Sequence, residues 1–149
     1  MSLITTVFDN INTRLTSIYA TPTYKKLVNP YILELNDTLS LNRGYAFFMG
    51  PGLNTKKLIG DVVTFEREIT LVNTIVNRGT DRDVTIRETA EKTLLEDQFL
   101  AIDSFHQTIL SDAWDLNWES DGGIEFIFTE KQNFLSIRSI YRLRYSEEC

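Results

Sequence analysis

The sequence predicts an α+β fold. In it a mainly antiparallel sheet of about four strands, with a long extended hairpin, packs as a two-layer sandwich against an N-terminal helix and one long central helix. Three observations lead there. Val62–Val76, VVTFEREITLVNTIV, reads at period two: Val63, Phe65, Ile69, Leu71 and Ile75 share one face, and Thr64, Glu66, Glu68, Thr70 and Thr74 the other. Side chains alternate across a strand, so this is one half-buried strand. Ser2–Tyr19 instead places Leu3, Ile4, Val7, Phe8, Ile11, Leu15, Ile18 and Tyr19 at helical spacing. The remaining segments read as two pairs of strands separated by a long helix, an order that favours helices on one face of an antiparallel sheet.

The bulk composition supports one domain over residues 1–149, with 42% hydrophobic and 11% aromatic residues to fill a core. A net charge of −6 argues against unaided binding to a phosphate backbone, which needs clustered Lys and Arg. The single cysteine, Cys149, can form neither an intramolecular disulfide nor a Cys-based metal site. The opening MSLITTVFDNI has no basic region and no unbroken apolar core, so it is not read as a signal peptide, and no apolar window is long enough to span a membrane.

Along the chain, Pro22 ends the first helix by biasing Thr21 away from helical angles. Tyr24–Thr38 is ambiguous; Asn29-Pro30 can cap and open a short helix over Pro30–Leu35. Leu39–Met49, LSLNRGYAFFM, reads as a strand whose Gly44 marks a weak point. Gly50–Lys57 carries two glycines, a proline and an asparagine and reads as a loop. The strand at Val62–Val76 exceeds the usual five or six residues or so, which implies a bend, a bulge or a projection beyond the domain. Asn77–Asp83 is turn-like, and Thr85-Ile86-Arg87-Glu88 fits a capping box. The helix it opens runs to about Leu110 with Ala90, Leu94, Leu95, Ile102, Phe105 and Ile109 as its apolar stripe, interrupted by Glu91 and Gln98. Leu100 lies on the opposite side, with no core to fill. Trp114 and Trp118 suit one helical turn or a loop, and Asp121-Gly122-Gly123 a turn. Ile124–Thr129 reads as a short strand. Phe134–Tyr145 reads as a long one, with Ser136, Arg138, Arg142 and Arg144 on its polar face. There is no internal repeat.

No constellation of residues points to catalysis, a cofactor or a metal. His106 is the only histidine and sits within the long helix, so a structural role is favoured over a general base, and no second His or Cys can complete a zinc site. Cys149 has no identifiable base beside it. Gly50-Pro51-Gly52 lacks the Gly-Lys-Ser/Thr ending of a phosphate loop and precedes a strand. Asp81, Asp83, Glu88, Glu91, Glu96, Asp97 and Asp103 are spread round the long helix or lie at its start, where its dipole favours negative charge. A solvated face is the favoured reading over paired carboxylates holding a metal. Arg138, Arg142 and Arg144 favour ion pairs with acidic residues over phosphate binding.

One stretch carries a family likeness. LNRGYAFFMGPGLNTKKLIGDVVTFEREITLVNT, with its Gly-Tyr-Ala strand, Gly-Pro-Gly-x-Asn-Thr loop and long strand bearing Arg-Glu, resembles the tail terminator proteins of long-tailed bacteriophages. DGGIEFIFTEKQNFLSIRSIYRLRY is similar to the closing hairpin of that family, so the likeness covers Leu41–Tyr145. The resemblance implies a non-enzymatic structural protein of the virion. It implies a homo-oligomeric ring, a hexamer, at the head-proximal end of the tail, assembled in the host cytoplasm. Such a ring stops tail-tube polymerisation and offers a docking surface to the head completion or neck protein. Its partners are then itself, the tail tube protein and the neck protein. DNA passes without specific binding, and no membrane is involved. The expected subunit-interface residues are Gly50, Pro51, Gly52, Leu53, Asn54 and Thr55 in the loop, Glu66 and Glu68 on the long strand, Leu100 on the helix, and Arg138 and Arg142 on the last strand. A head–tail joining or tail completion protein is the nearest alternative, a small metal-dependent hydrolase a more distant one, and an adaptor unrelated to virions a third.

Overall fold

The computed structural model describes residues 3–20, 24–26, 43–50, 55–77, 84–107, 114–128 and 133–148. In chain order these form α1 (Leu3–Ile18), β1 (Tyr24–Lys26), β2 (Arg43–Met49), β3 (Thr55–Ile59), β4 (Val62–Asn77), α2 (Val84–Gln107), β5 (Trp114–Phe128) and β6 (Asn133–Glu148). The α+β class is as expected, with both helices against one face of a largely antiparallel sheet. The sheet is larger than expected: six strands in the order β1-β2-β4-β6-β5, with β3 also laid against β4. Only the β1–β2 pair is parallel. The helix expected over 30–35, the strand start at 39–42, the turn at 78–83 and the end of the long helix at 108–110 lie outside the described residues.

β4 and β6 are the axis of the sheet. Each is 16 residues long, and they pair without interruption from Val62 opposite Glu148 to Asn77 opposite Asn133. The alternation in the sequence sets which face meets the helices. Ile69 and Leu71 of β4, Tyr141, Leu143 and Tyr145 of β6, and Tyr45 of β2 pack under Val7, Ile11, Leu15 and Tyr19 of α1 and Ala101 and Phe105 of α2. Leu135 and Ile137 continue the same face under Ala90 and Leu94. α1 therefore buries the stripe that its spacing predicts. Full burial of each Val, Ile or Leu in it contributes roughly 1.5–3 kcal/mol.

The other face departs from a simple polar-out pattern. Thr70, Val72, Thr74 and Val76 of β4 are buried, as are Ala46, Phe134 and Ser136 beside them. Only the first half of β4, Thr64, Glu66 and Glu68, keeps partial exposure on that face. The strand is thus half-buried at its start and buried on both faces at its end, where Thr74 Oγ1 donates to Ser136 Oγ at 3.4 Å.

β5 replaces two expected features. Trp114 and Trp118 belong to a strand, not to a helical turn, and 121–123 is not a chain reversal. The register of β5 on β6 shifts once between Trp118 and Ser120 and again between Asp121 and Ile124, each shift inserting one residue on β5. These are β-bulges, and Gly123 sits in the second with φ +78° while its N–H donates to Asp121 Oδ1 at 2.8 Å. Each bulge moves the inward parity by one. Trp114 and Leu116, then Asp121, then Ile124 consequently all reach the helix side.

β3 was expected to be loop up to Lys57. It is a strand joined to β4 by a two-residue turn at Gly60-Asp61, where Gly60 takes φ +61° as hairpin turns of the primed types require. β2 and β3 share one side of β4. Between Ile69 and Glu66, β4 spends two residues, whereas five separate Met49 from Thr55 on the neighbouring edge. β2 and β3 therefore lie end to end along the same side of β4.

α2 starts at Val84, so Thr85 lies inside its first turn and is not the cap. Thr89 Oγ1 donates to the Thr85 carbonyl at 2.9 Å and Thr93 Oγ1 to the Thr89 carbonyl at 2.9 Å. Leu95, assigned to the stripe, is exposed; the buried row is Ala90, Leu94, Asp97, Gln98, Ala101 and Phe105. The two polar members are satisfied. Gln98 Nε2 donates to Asp121 Oδ2 at 3.0 Å and to Ser139 Oγ at 2.9 Å. Asp97 Oδ1 pairs with Arg43 Nη1 at 3.2 Å, and the Asp97 carbonyl accepts from Tyr19 Oη. Tyr19 Oη in turn accepts from Asn73 Nδ2 at 3.0 Å. A single buried network thereby ties α1, α2, β2 and β4 together.

Candidate interaction surface

Of the residues singled out by sequence, the described ones sit mostly on the face of the sheet away from the helices and along its edges. Gly50 is buried and closes the end of β2: its N–H donates to the Glu68 carbonyl at 2.9 Å. A Cβ there would stand 2.9 Å from Thr70 Oγ1 and 3.0 Å from Glu68 Cγ. The glycine is therefore required by close approach. Gly50→Ala should lower stability by about 1 kcal/mol, read as a shift in the urea midpoint, because a crowded site must open to admit the methyl group. Residues 51–54, which include Pro51, Gly52, Leu53 and Asn54, lie outside the described residues, and Thr55 opens β3 opposite Glu66.

Register explains the charged candidates. On the β4–β6 ladder Glu66 stands opposite Arg144 and Glu68 opposite Arg142. Glu66 Oε1 is 3.0 Å from Arg144 Nη2, and Arg142 Nε donates to Glu119 Oε1 of β5 at 3.0 Å. The hydrogen bond to Glu119 and the negative charge of Glu119, and then of Glu66 and Glu68, raise the pKa of the Arg142 guanidinium above its ordinary value. Cross-strand opposite charges of this kind stabilise weakly, roughly 0–1 kcal/mol each at an exposed site. They form a stripe of alternating sign across β4, β6 and β5. Arg138 stands further along β6, opposite Val72.

Leu100 is exposed on α2, as expected, but it is one of several. Phe99 and Leu95 are exposed beside Gln98, on the flank of α2 that faces β5. On β5 itself Trp118, Phe126 and Phe128 are exposed, and Leu58, Ile59 and Val62 are exposed round the β3–β4 turn. Sequence reasoning missed these because Phe126 sat in what read as a short strand and Leu58-Ile59 next to a loop. The signal available was the lysine pair before Leu58, a mark of an edge strand.

Among the described residues no three His, Cys, Asp or Glu side chains come together in a way that could hold a metal ion. His106 lies in α2 by its backbone, and its side chain and Cys149 are outside the described residues. No helix is long and apolar enough to cross a membrane. What the arrangement offers is edges and faces: two outer strands with unpaired main chain among the described residues, a charged stripe and a scatter of exposed apolar side chains. No protein-family model matches the chain, and no curated protein matches it.

Proposed function

We propose that the protein is a structural, non-enzymatic component of a long-tailed phage virion. It forms a homo-oligomeric ring, a hexamer, at the head-proximal end of the tail tube, stops tube polymerisation and presents the docking surface for the neck. The observation that carries this reading is the sheet that ends in two unlike edges, β5 on one side and β1 with β3 on the other, neither paired further among the described residues. A closed ring needs two different complementary surfaces on each subunit. The family likeness of Leu41–Tyr145 supports it too, since its Gly-Tyr-Ala, long strand and closing hairpin fall on β2, β4 and the β5–β6 pair. The chain's net charge of −6 suits a conduit through which DNA slides without sticking.

Mass photometry of the purified chain, alone and with tail tubes, tests the reading. Hexamers, or rings formed on tube ends, are expected, and electron microscopy should then place the protein at the end of the tail nearest the head. A chain that stays monomeric in both settings overturns it. Placement above the tube, against the connector, would make it a joining protein instead.

A further inference from the structure

The two ends of the sheet carry opposite charge. β5 holds Asp115, Glu119, Asp121 and Glu125 and no lysine or arginine. At the other end β1 and β3 hold Lys25, Lys26, Lys56 and Lys57 and no carboxylate. In a chain with 21 acidic and 15 basic residues this separation is a property of the edges and not of the average composition. Both β3 and β5 pair on one side only among the described residues, so each offers a row of main-chain N–H and C=O groups.

The side-chain alternation on the two edges also matches. On β3, Lys57 stands opposite Thr64 on the face away from the helices, and Leu58 stands opposite Val63 on the helix face, 65% exposed. On β5, Glu125 stands opposite Ser136 on the face away from the helices, and Phe126 opposite Leu135 on the helix face, 45% exposed. Lys57 and Glu125 are exposed, and neither is in an ion pair within the described chain.

We propose that the β3 edge of one copy adds antiparallel to the β5 edge of the next, continuing the sheet from subunit to subunit, with Leu58 opposite Phe126 and Lys57 diagonally within reach of Glu125. The occupant of each edge is a second copy of this chain, because charge leaves that choice alone among pairings of the edges. Two β5 edges repel, two basic edges repel, and only the head-to-tail combination brings opposite signs together. Such a contact is heterologous and repeats until its rotation closes the ring. β3 spans only about 17 Å at about 3.4 Å per residue, so one contact occupies a third or so of β5. The proposal names the interface of the ring and rests on the ring reading above.

The test uses two variants of the full chain, Lys57→Glu and Glu125→Lys, compared with the unaltered chain by mass photometry at low salt. Circular dichroism reports whether each is folded. Each variant alone should assemble at least about tenfold more weakly than the unaltered chain, since the Lys57–Glu125 contact becomes like-charged. An equimolar mixture should recover assemblies containing both, because each variant then meets the complementary edge of the other. If both variants assemble as well as the unaltered chain, the edge pairing is overturned while the ring reading stands. If the unaltered chain stays monomeric with and without tail tubes, the ring reading falls and takes this proposal with it. Should a variant fail to fold, a Leu58→Cys/Phe126→Cys chain carrying Cys149→Ser decides the matter under oxidation. A ladder of linked copies supports the pairing, and unlinked copies within assembled particles overturn it.

Discussion

Raising the pH above about 10 should cost the fold roughly 2.7 kcal/mol of stability for each further pH unit, a steep alkaline unfolding. The cause is two tyrosines in the core. Burial raises the pKa of Tyr141 well above its ordinary value, helped by neighbouring Tyr19. Burial does the same for Tyr19, with the charge of Asp97 and the nearby Tyr45 adding to it and the hydrogen bond from Asn73 opposing it. A group whose pKa is higher folded than unfolded contributes stability that is complete below its unfolded pKa. That contribution is lost as pH rises, because only the unfolded chain releases the proton. Each such tyrosine contributes about 1.4 kcal/mol per pH unit beyond about 10. Urea midpoints measured from about pH 9 to about pH 11.5 check this. A flat profile over that window would mean that both phenols ionise freely in the native state.

Removing the two hydroxyls one at a time should move stability in opposite directions. Tyr19 Oη donates to the Asp97 carbonyl and accepts from Asn73 Nδ2, and Asn73 Oδ1 already has no partner. Tyr19→Phe leaves the buried Asn73 Nδ2 without this partner at a junction of two helices and the sheet, while the Asp97 carbonyl keeps its helical hydrogen bond. It should lower stability by about 1–3 kcal/mol. Tyr141 is 1% exposed, and its hydroxyl is buried without a hydrogen-bond partner. Tyr141→Phe keeps the edge-on contact with Phe105, whose ring centre is 5.7 Å away, and sheds a polar group that burial penalises. It should leave stability unchanged or raise it by up to about 1 kcal/mol. Each variant should also halve the alkaline slope. Equal losses from the two substitutions would show that the hydroxyls are equivalent, against the geometry.

The elements legible in the sequence are those in which one period runs unbroken. α1 repeats at helical spacing without a polar intrusion, and β4 and β6 alternate over most of their length, so their existence and their inward faces could be read directly. β5 could not, because two inserted residues shift its parity twice and the glycines that permit the second insertion are also the commonest mark of a turn. The buried row of α2 was blurred by Asp97 and Gln98. Both are tolerated inside because Arg43, Asp121 and Ser139 satisfy them, partners that are distant in sequence. β3 was hidden by its neighbours: two lysines after a Gly/Pro loop look solvated until the hairpin places them on an edge. For the surface, individual charges such as Glu66 and Arg142 could be picked out, but their pairing depends on a register between strands far apart in the chain. The segregation of charge between the sheet's two ends is likewise invisible until the strand order is known.

The strand order also sets a timetable. β6 lies between β4 and β5, yet it is synthesised after every other described element. Until it emerges, β4 lacks the neighbour on one side and β5 lacks its only neighbour among the described strands. Val62 must wait for Glu148, a closure across most of the chain, and such non-local pairing makes folding slow relative to helical proteins of similar size. A chain without β6 therefore cannot hold β5 in place. Under the proposed edge pairing, the β5 edge that would meet a neighbouring copy forms only once β6 has been made.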